Sequence, residues 1–365
     1  MADSAAVLDF LLPGDPLTIT GGYEYDRRVV DGLRTLGWTV RVRTLDASFP
    51  FPAAESLADA HLQLAALPTD GLVLIDGLAL GAMPDIVKAH AKRLRLVGLV
   101  HHPLAAETGL TSQLAARLFE SEREALQATR MVIVTSQATR RALDDYDVPA
   151  DRIAVVEPGV DRPSDSLAGN PEKPNVIRLL CVATITPRKG HDLLVAALAE
   201  LRDRAWILNC VGDTERSPQT VAALRALIAA AGLEDRITLT GKVDASTLAE
   251  QLRNSDLFVL ATHFEGYGMA VAQALTYGLP IVSTRTGAIA ELVSEQAGLL
   301  IEPNDVAALR EALASLLRDD GLRRRLARGA REAGRNLRDW HGASELFSKV
   351  LADAGCRPLV PVQRS

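Results

Sequence analysis

Four stretches of the 365-residue chain hold residues that could do chemistry, through side chains or backbone. The first runs His263-Phe264-Glu265-Gly266-Tyr267-Gly268-Met269 and continues through Gln273 to Gly278 and Pro280. It follows an apolar run at 257–260 that reads as a buried strand. A polar, glycine-containing loop comes next, then helix-forming residues up to Gly278, which sits where a left-handed cap belongs, and Pro280 leads into another strand. The pattern predicts a helix N-terminus at the carboxyl edge of a sheet. There, free N–H groups and the helix dipole favour an anion such as a diphosphate. Glu265 in the loop and Gln273 about two turns into the helix can face one crevice. These residues suit a ligand with phosphates and hydroxyls.

The second stretch, 183–191, places Arg188 and Lys189 directly after a strand. Lys offers a compact charge and Arg a two-pronged one, both suited to negative charge that develops in a partly desolvated site. Each charge-assisted hydrogen bond is worth roughly 1.5–3 kcal/mol. Taken alone, the pair would read as decoration of a loop. The third is His101-His102-Pro103 at the end of a strand, with Asp76-Gly77 ending the strand before it. Ionisable residues at strand carboxyl ends are placed for site work in an open α/β sheet. A lone histidine is more often structural; two together at a strand end shift that balance. The fourth, Gly21-Gly22, precedes a helical pattern from Tyr23 to Leu36 closed by Gly37. Paired glycines let backbone N–H groups approach a phosphate, although a tight turn would use them too. No Gly-x-Gly-x-x-Gly follows a strand, which weakens a dehydrogenase reading.

The elements that position these groups alternate. Strands are predicted at 7–12, 38–42, 72–75, 96–100, 131–136 and 153–156, then at 177–182, 206–211, 237–240, 257–260 and 281–283, with helical patterns between them. Such alternation implies parallel sheets covered by helices on both faces. A Pro- and Gly-containing polar stretch at 162–175 is the linker candidate. The expected organisation is therefore a domain over 1–161, the linker, a second domain over 176–335, and a terminal segment over 336–365. Beyond Asp305 the chain turns helical to about Gly334 and is rich in Arg, with acidic residues interleaved, which favours a solvated face over a membrane-binding one.

Composition narrows the function classes. Hydrophobic residues make up 48% and charged residues 24%, and mean hydropathy is +0.09. A net charge of −6 argues against a dedicated nucleic-acid binder. No apolar run approaches the roughly 18–20 residues of a membrane span. The N-terminus lacks a basic start and apolar core, so the expected location is the cytoplasm. The three cysteines, Cys181, Cys210 and Cys356, are widely spaced. They are expected to be buried thiols and not a disulfide frame or a metal site.

By its residues, the 263–284 stretch resembles the donor-binding signature of retaining glycosyltransferases of the GT-B fold, family four. That signature is a Glu, seven residues and a second Glu, with a Gly-aromatic-Gly loop after the first. The resemblance implies that Glu265 lies beside the transferred sugar and that Gly266, Tyr267, Gly268 and Met269 bind the donor. Gln273 stands in place of the second Glu, which in the family holds the ribose hydroxyls. An amide offers one acceptor and two donors, so Gln273 is expected to bind there more weakly. The 183–191 stretch resembles the family's Gly-Arg-Leu-x-x-x-Lys-Gly, which carries Lys189 over; the family's Arg is Thr184 here, and Arg188 is the candidate to replace its charge. Val211-Gly212-Asp213 matches the start of a Val-Gly-x-Gly turn, with Thr214 for the second glycine. Gly241 and Val243 lie where the base is held, and Glu157-Pro158-Gly159-Val160-Asp161 is similar to a Pro-x-Gly-Val-Asp turn.

In the first domain the resemblance assigns His101, with His102 as second choice, to the transferred sugar, and Gly21 and Gly22 to the donor diphosphate. It implies an α/β architecture of two Rossmann-like domains facing across a deep cleft, with a last helix crossing back to the first domain. The implied activity is retaining transfer of a hexose-type sugar from a nucleotide sugar to a hydroxyl of a small-molecule, lipid or glycan acceptor. His101, Lys189 and Glu265 are the expected catalytic residues, with no metal and no bound cofactor. A nucleotide-sugar epimerase of the same fold and a non-catalytic nucleotide-sugar-binding protein are the alternatives.

Overall fold

Twelve apolar segments pair into two parallel sheets in the computed structural model, which describes residues 6–163 and 176–355. The strands of the first sheet are β1 (Val7–Pro13), β2 (Thr39–Leu45), β3 (Leu72–Asp76), β4 (Arg95–Val100), β5 (Met131–Val134) and β6 (Ile153–Val155). Those of the second are β7 (Ile177–Val182), β8 (Trp206–Val211), β9 (Ile237–Gly241), β10 (Leu257–Leu260), β11 (Ile281–Thr284) and β12 (Gly298–Ile301). Their spatial orders are β2-β1-β3-β4-β5-β6 and β12-β11-β10-β7-β8-β9. Every residue of β3, β10 and β11 is buried, as expected of central strands covered on both faces.

The chain divides into two compact units, one of Met1–Gly159 with Arg338–Ser365, the other of Val160–Leu337. The linker expected at 162–175 falls, from residue 164 on, outside the described residues, as does Cys356. The first core gathers Leu11, Val73, Ile75, Leu96, Val132 and Val134. The second gathers Leu180, Leu208, Phe258, Ile281 and Leu313. Fully burying such a side chain contributes about 1.5–3 kcal/mol.

Within the first unit the helix Trp340–Asp353 packs on the helix Gly21–Thr35. Phe347 is fully buried with its ring 6.4 Å from that of Tyr25, and Trp38 Nε1 donates to Ser348 Oγ at 2.9 Å. Gly32 leaves room for the Ser344 side chain, which a Cβ there would overlap.

Several boundaries differ from the sequence reading. The first helix starts at Gly21, not Tyr23, because Thr20 is its cap and accepts from Tyr23 N. The two glycines are therefore its first turn and not a preceding loop. β5 stops at Val134, since the Ser136 hydroxyl accepts from Thr139 N and starts the next helix. β2 extends to Leu45, an edge strand whose Arg43 pairs with Asp9 at 2.7 Å. The C-terminal helical stretch is two helices, Val306–Arg318 and Asp320–Asn336, broken at Asp319, which caps the second through Leu322 N. β12 adds a strand to those predicted, a four-residue run close behind the short helix Ile289–Leu292.

Candidate functional site

In the second unit, consecutive connections leave the sheet in opposite directions on either side of the β10–β7 pair. β7 leads outward to β8 and β9, and β10 leads the other way to β11 and β12. Such a switch point opens a crevice at the strand carboxyl ends. The loops after β7 and β10 meet there. Lys189 Nζ, from the first loop, pairs with Glu265 Oε1 from the second, and Arg188 Nη1 lies 4.0 Å from the same oxygen. Burial raises the carboxyl pKa of Glu265, but the charges of Lys189 and Arg188 and the hydrogen bonds from Lys189 and Thr262 outweigh it and hold the group below the ordinary value. Glu265 is therefore a buried carboxylate kept ionised by two cations.

The loops themselves are stitched by backbone and hydroxyl groups. His263 N donates to Arg188 O at 2.8 Å, and Arg188 Nη1 donates to Phe264 O at 2.8 Å. Thr262 Oγ1 lies within hydrogen-bond distance of both Arg188 O, at 3.0 Å, and Phe264 O, at 3.1 Å, and Thr286 Oγ1 donates to His263 O. Ala288 N donates to Glu265 O at 3.2 Å. Gly190 closes the β7 loop at φ +63°, and a Cβ there would run into the Ala261 carbonyl. Only a glycine fits that close approach without strain. Gly268, at φ +93°, is the cap of the helix Met269–Thr276, and no side chain caps its first turn. Gly266 and the buried Tyr267 complete this loop.

The other predicted donor residues sit on neighbouring loops of the same edge. Gly212 N, after β8, donates to Gly241 O at the end of β9 at 3.0 Å. Val243 follows, and Lys242 pairs with Asp213 at 3.2 Å. Gln273 is placed differently. Its Oε1 accepts from Asp161 N at 3.1 Å, and its Nε2 donates to Asp161 O at 2.7 Å. The amide is thus held by a backbone unit at the entrance of the second unit.

In the first unit the switch point lies between β1 and β3. His101 at the end of β4 places Nε2 3.1 Å from Asp26 Oδ1 and 3.5 Å from Asp76 Oδ2. Both carboxylates are buried, whereas the His101 side chain keeps 21% of its exposure. Burial disfavours the imidazolium, yet the charge and hydrogen bond of Asp26 and the charge of Asp76 raise the His101 pKa above the ordinary value. Asp76 is pushed up to about 7 by burial and by the charge of Asp26, against His101 and the Leu78 N–H. Gly22 lies beside the ring, where a Cβ would come within 3.4 Å of His101 Cδ2. Thr135 and Thr139 hydroxyls both donate to His101 O, and Tyr25 meets the ring edge-on at 5.5 Å. His102 points elsewhere and pairs with Glu107 at 3.3 Å.

Asp26 escaped the sequence reading. Its signal was a carboxylate on the same helical face as Tyr25, Val29, Val30 and Leu33, all buried. Cys181 and Cys210, expected to be buried thiols, are buried and stand in register on adjacent strands. Cys181 Sγ is 3.7 Å from His191 Nε2, and one ligand atom from each of the three lies within 4.8 Å of the others. Asp26, Asp76 and His101 meet the same spacing, so both groups could hold a metal ion. No helix among the described residues is long and apolar enough to cross a membrane.

Known proteins share this fold. Residues 165–333 match the family model of glycosyl transferases group 1, and residues 24–162 match that of glycosyltransferase family 4. A D-inositol 3-phosphate glycosyltransferase of Xylanimonas cellulosilytica is 31% identical over 254 residues, covering 65% of this chain and 60% of that protein. One from Nocardia farcinica is 34% identical over 212 residues, covering 54% and 47%. The chain thus matches about half to three fifths of the length of these relatives. Among solved structures, sucrose-phosphate synthase from Thermosynechococcus elongatus superposes with a TM-score of 0.80 at 20% identity, covering 95% of this chain and 98% of that one. HepE of Anabaena in complex with UDP-glucose gives 0.75 at 19%, covering 95% and 99%. Two six-stranded parallel sheets and these structural neighbours agree on the GT-B fold, and within it the second unit matches the group 1 glycosyltransferases and the first matches glycosyltransferase family 4.

Proposed function

We propose that the protein transfers a hexose-type sugar from a nucleoside-diphosphate donor to a hydroxyl acceptor with retention of anomeric configuration and without a metal. The observation that carries this reading is the meeting of Lys189, Arg188 and Glu265 at the switch point, next to the uncapped first turn of the helix Met269–Thr276. Cations and free N–H groups on one loop system are what a departing diphosphate requires, because its charge grows as the glycosidic bond breaks. In this reading Lys189 and the first-turn amides stabilise the leaving diphosphate. Its oxygen takes the acceptor proton on the same face of the sugar, and Glu265 contacts the sugar. Gly212, Gly241 and Val243 hold the nucleotide. From the first unit, His101 contacts the transferred sugar, held by Asp26 and Asp76, and Gly21 and Gly22 present amides to the diphosphate.

The donor class is supported by the UDP-glucose complex of HepE, and the acceptor class by the inositol phosphate named for the curated relatives. The test is incubation of the protein with UDP-, GDP- and ADP-linked hexoses and D-inositol 3-phosphate or glycan acceptors in EDTA. NMR then follows the anomeric proton of the product. An axially linked donor should give an axial product, undiminished by the chelator. An equatorial product, or activity abolished by EDTA and restored by a divalent cation, would contradict the mechanism. An epimerised nucleotide sugar formed without acceptor would replace transfer by epimerisation.

A further inference from the structure

The amide of Gln273 makes a cyclic pair with a single backbone unit. It accepts from Asp161 N at 3.1 Å and donates to Asp161 O at 2.7 Å. Such a pair needs one donor and one acceptor on the same planar group. Glutamate cannot make it when ionised, because its second oxygen would face the Asp161 carbonyl. Thr276 reinforces the contact. Its hydroxyl donates to Gln273 O at 2.7 Å, accepts from Gln273 Nε2 at 3.3 Å and lies 3.4 Å from Asp161 O.

The held segment is where the chain enters the second unit, at Val160. The next residue ties it again: Arg162 Nη2 donates to Leu337 O at 2.9 Å and to Arg335 O at 3.3 Å. Leu337 is where the chain leaves that unit. Gly334 in turn packs against the backbone of Leu275 and Thr276, where a side chain would overlap it. Entry segment, exit segment and the helix Met269–Thr276 are therefore fastened to one another, and that helix starts at the Glu265–Gly268 loop.

We propose that Gln273 is a positioning residue that latches Asp161 to this helix, and that it is not the anchor of the donor's ribose hydroxyls. The proposal rests on the donor-binding reading for its second half only. Its consequence is a specificity: the nucleotide is recognised without a carboxylate at the ribose, so loss of ribose hydroxyls is tolerated.

Two arms test it on the full chain. In the first, unfolding of wild type, Gln273→Ala and Gln273→Glu is followed by circular dichroism from about pH 4 to pH 8. Both variants should unfold at lower temperature than wild type at neutral pH. Gln273→Glu alone should recover toward wild type as pH falls, because a protonated carboxyl regains the donor that faces Asp161 O. A Gln273→Glu variant as stable as wild type at neutral pH, with no recovery on acidification, would overturn the latch.

In the second arm, calorimetry compares UDP, GDP and ADP with their 2′,3′-dideoxy forms on the wild type and on Gln273→Ala. A ribose anchor is worth about tenfold or more in affinity, so the latch predicts a loss below about threefold. A tenfold loss on the dideoxy form, restricted to wild type and absent in Gln273→Ala, would restore the ribose role and overturn the proposal. Absence of binding by all three diphosphates would instead overturn the donor reading, leaving the latch to be judged by the unfolding arm.

Discussion

Nε2 of His101 stands between two buried carboxylates, 3.1 Å from Asp26 Oδ1 and 3.5 Å from Asp76 Oδ2. Like charges in one low-dielectric site cannot both ionise without a cation nearby. Burial, and after it the charge of Asp26, pushes the Asp76 carboxyl up to about 7, while the two carboxylates raise the imidazole. The histidine is thus oriented, and its charged form favoured, by these two carboxylates.

Asp26→Asn should lower the His101 pKa, because it removes the main attraction holding the imidazolium while preserving shape. Proton NMR titration of the His101 ring resonances checks this. An unchanged titration would mean that Asp26 is not the controlling partner.

His101→Ala should reduce transfer on the order of 100-fold or more while leaving nucleotide affinity within about threefold, as expected for a group engaged with the reacting sugar. Steady-state kinetics beside calorimetry separates the two effects. Wild-type turnover would reject the assignment.

Glu122 is fully buried, accepts one hydrogen bond from Leu104 N at 2.9 Å, and is pushed up to about 8, chiefly by burial. Folded, it keeps a proton that the unfolded chain has released above its ordinary value. Rising pH therefore favours unfolding, by on the order of 3 kcal/mol between pH 4.5 and pH 7. Asp76 adds a loss of the same sign below about pH 7. Glu122→Gln should flatten much of this decline in denaturant titrations run across that range. A variant with the same slope as wild type would contradict the buried, protonated state.

Gly190→Ala should destabilise the protein by at least about 2 kcal/mol, since it combines a left-handed backbone with a Cβ directed at the Ala261 carbonyl. Urea unfolding measures it. A change within experimental scatter would mean that the β7 loop is free to rearrange.

Much of this was legible in the sequence, for identifiable reasons. Strands such as β10 announce themselves because burial on both faces demands continuous apolar runs. Lys189 and Glu265 could each be singled out because each follows an apolar strand, but their pairing shows only once the sheet order brings both strand ends to the switch point. Gln273 marks the limit. Its position was readable, but its partner is the backbone of Asp161, 112 residues away, and a backbone group carries no sequence signal. Asp26 and the Cys181–Cys210 pair were hidden likewise. A carboxylate on an apolar helix face and two cysteines in strand register gain meaning only when the sheet order is known.

Binding of a nucleoside diphosphate by the loops after β7 and β10 through Lys189 is the step on which the proposed transfer depends. The most direct measurement is thermal unfolding of wild type and Lys189→Ala with UDP, GDP and ADP. One nucleotide should raise the wild-type midpoint clearly, since a ligand at about 100 times its Kd stabilises the fold by roughly 2.7 kcal/mol, and the variant should need at least about tenfold more of it. No shift with any of the three, or an identical shift in the variant, would contradict the account.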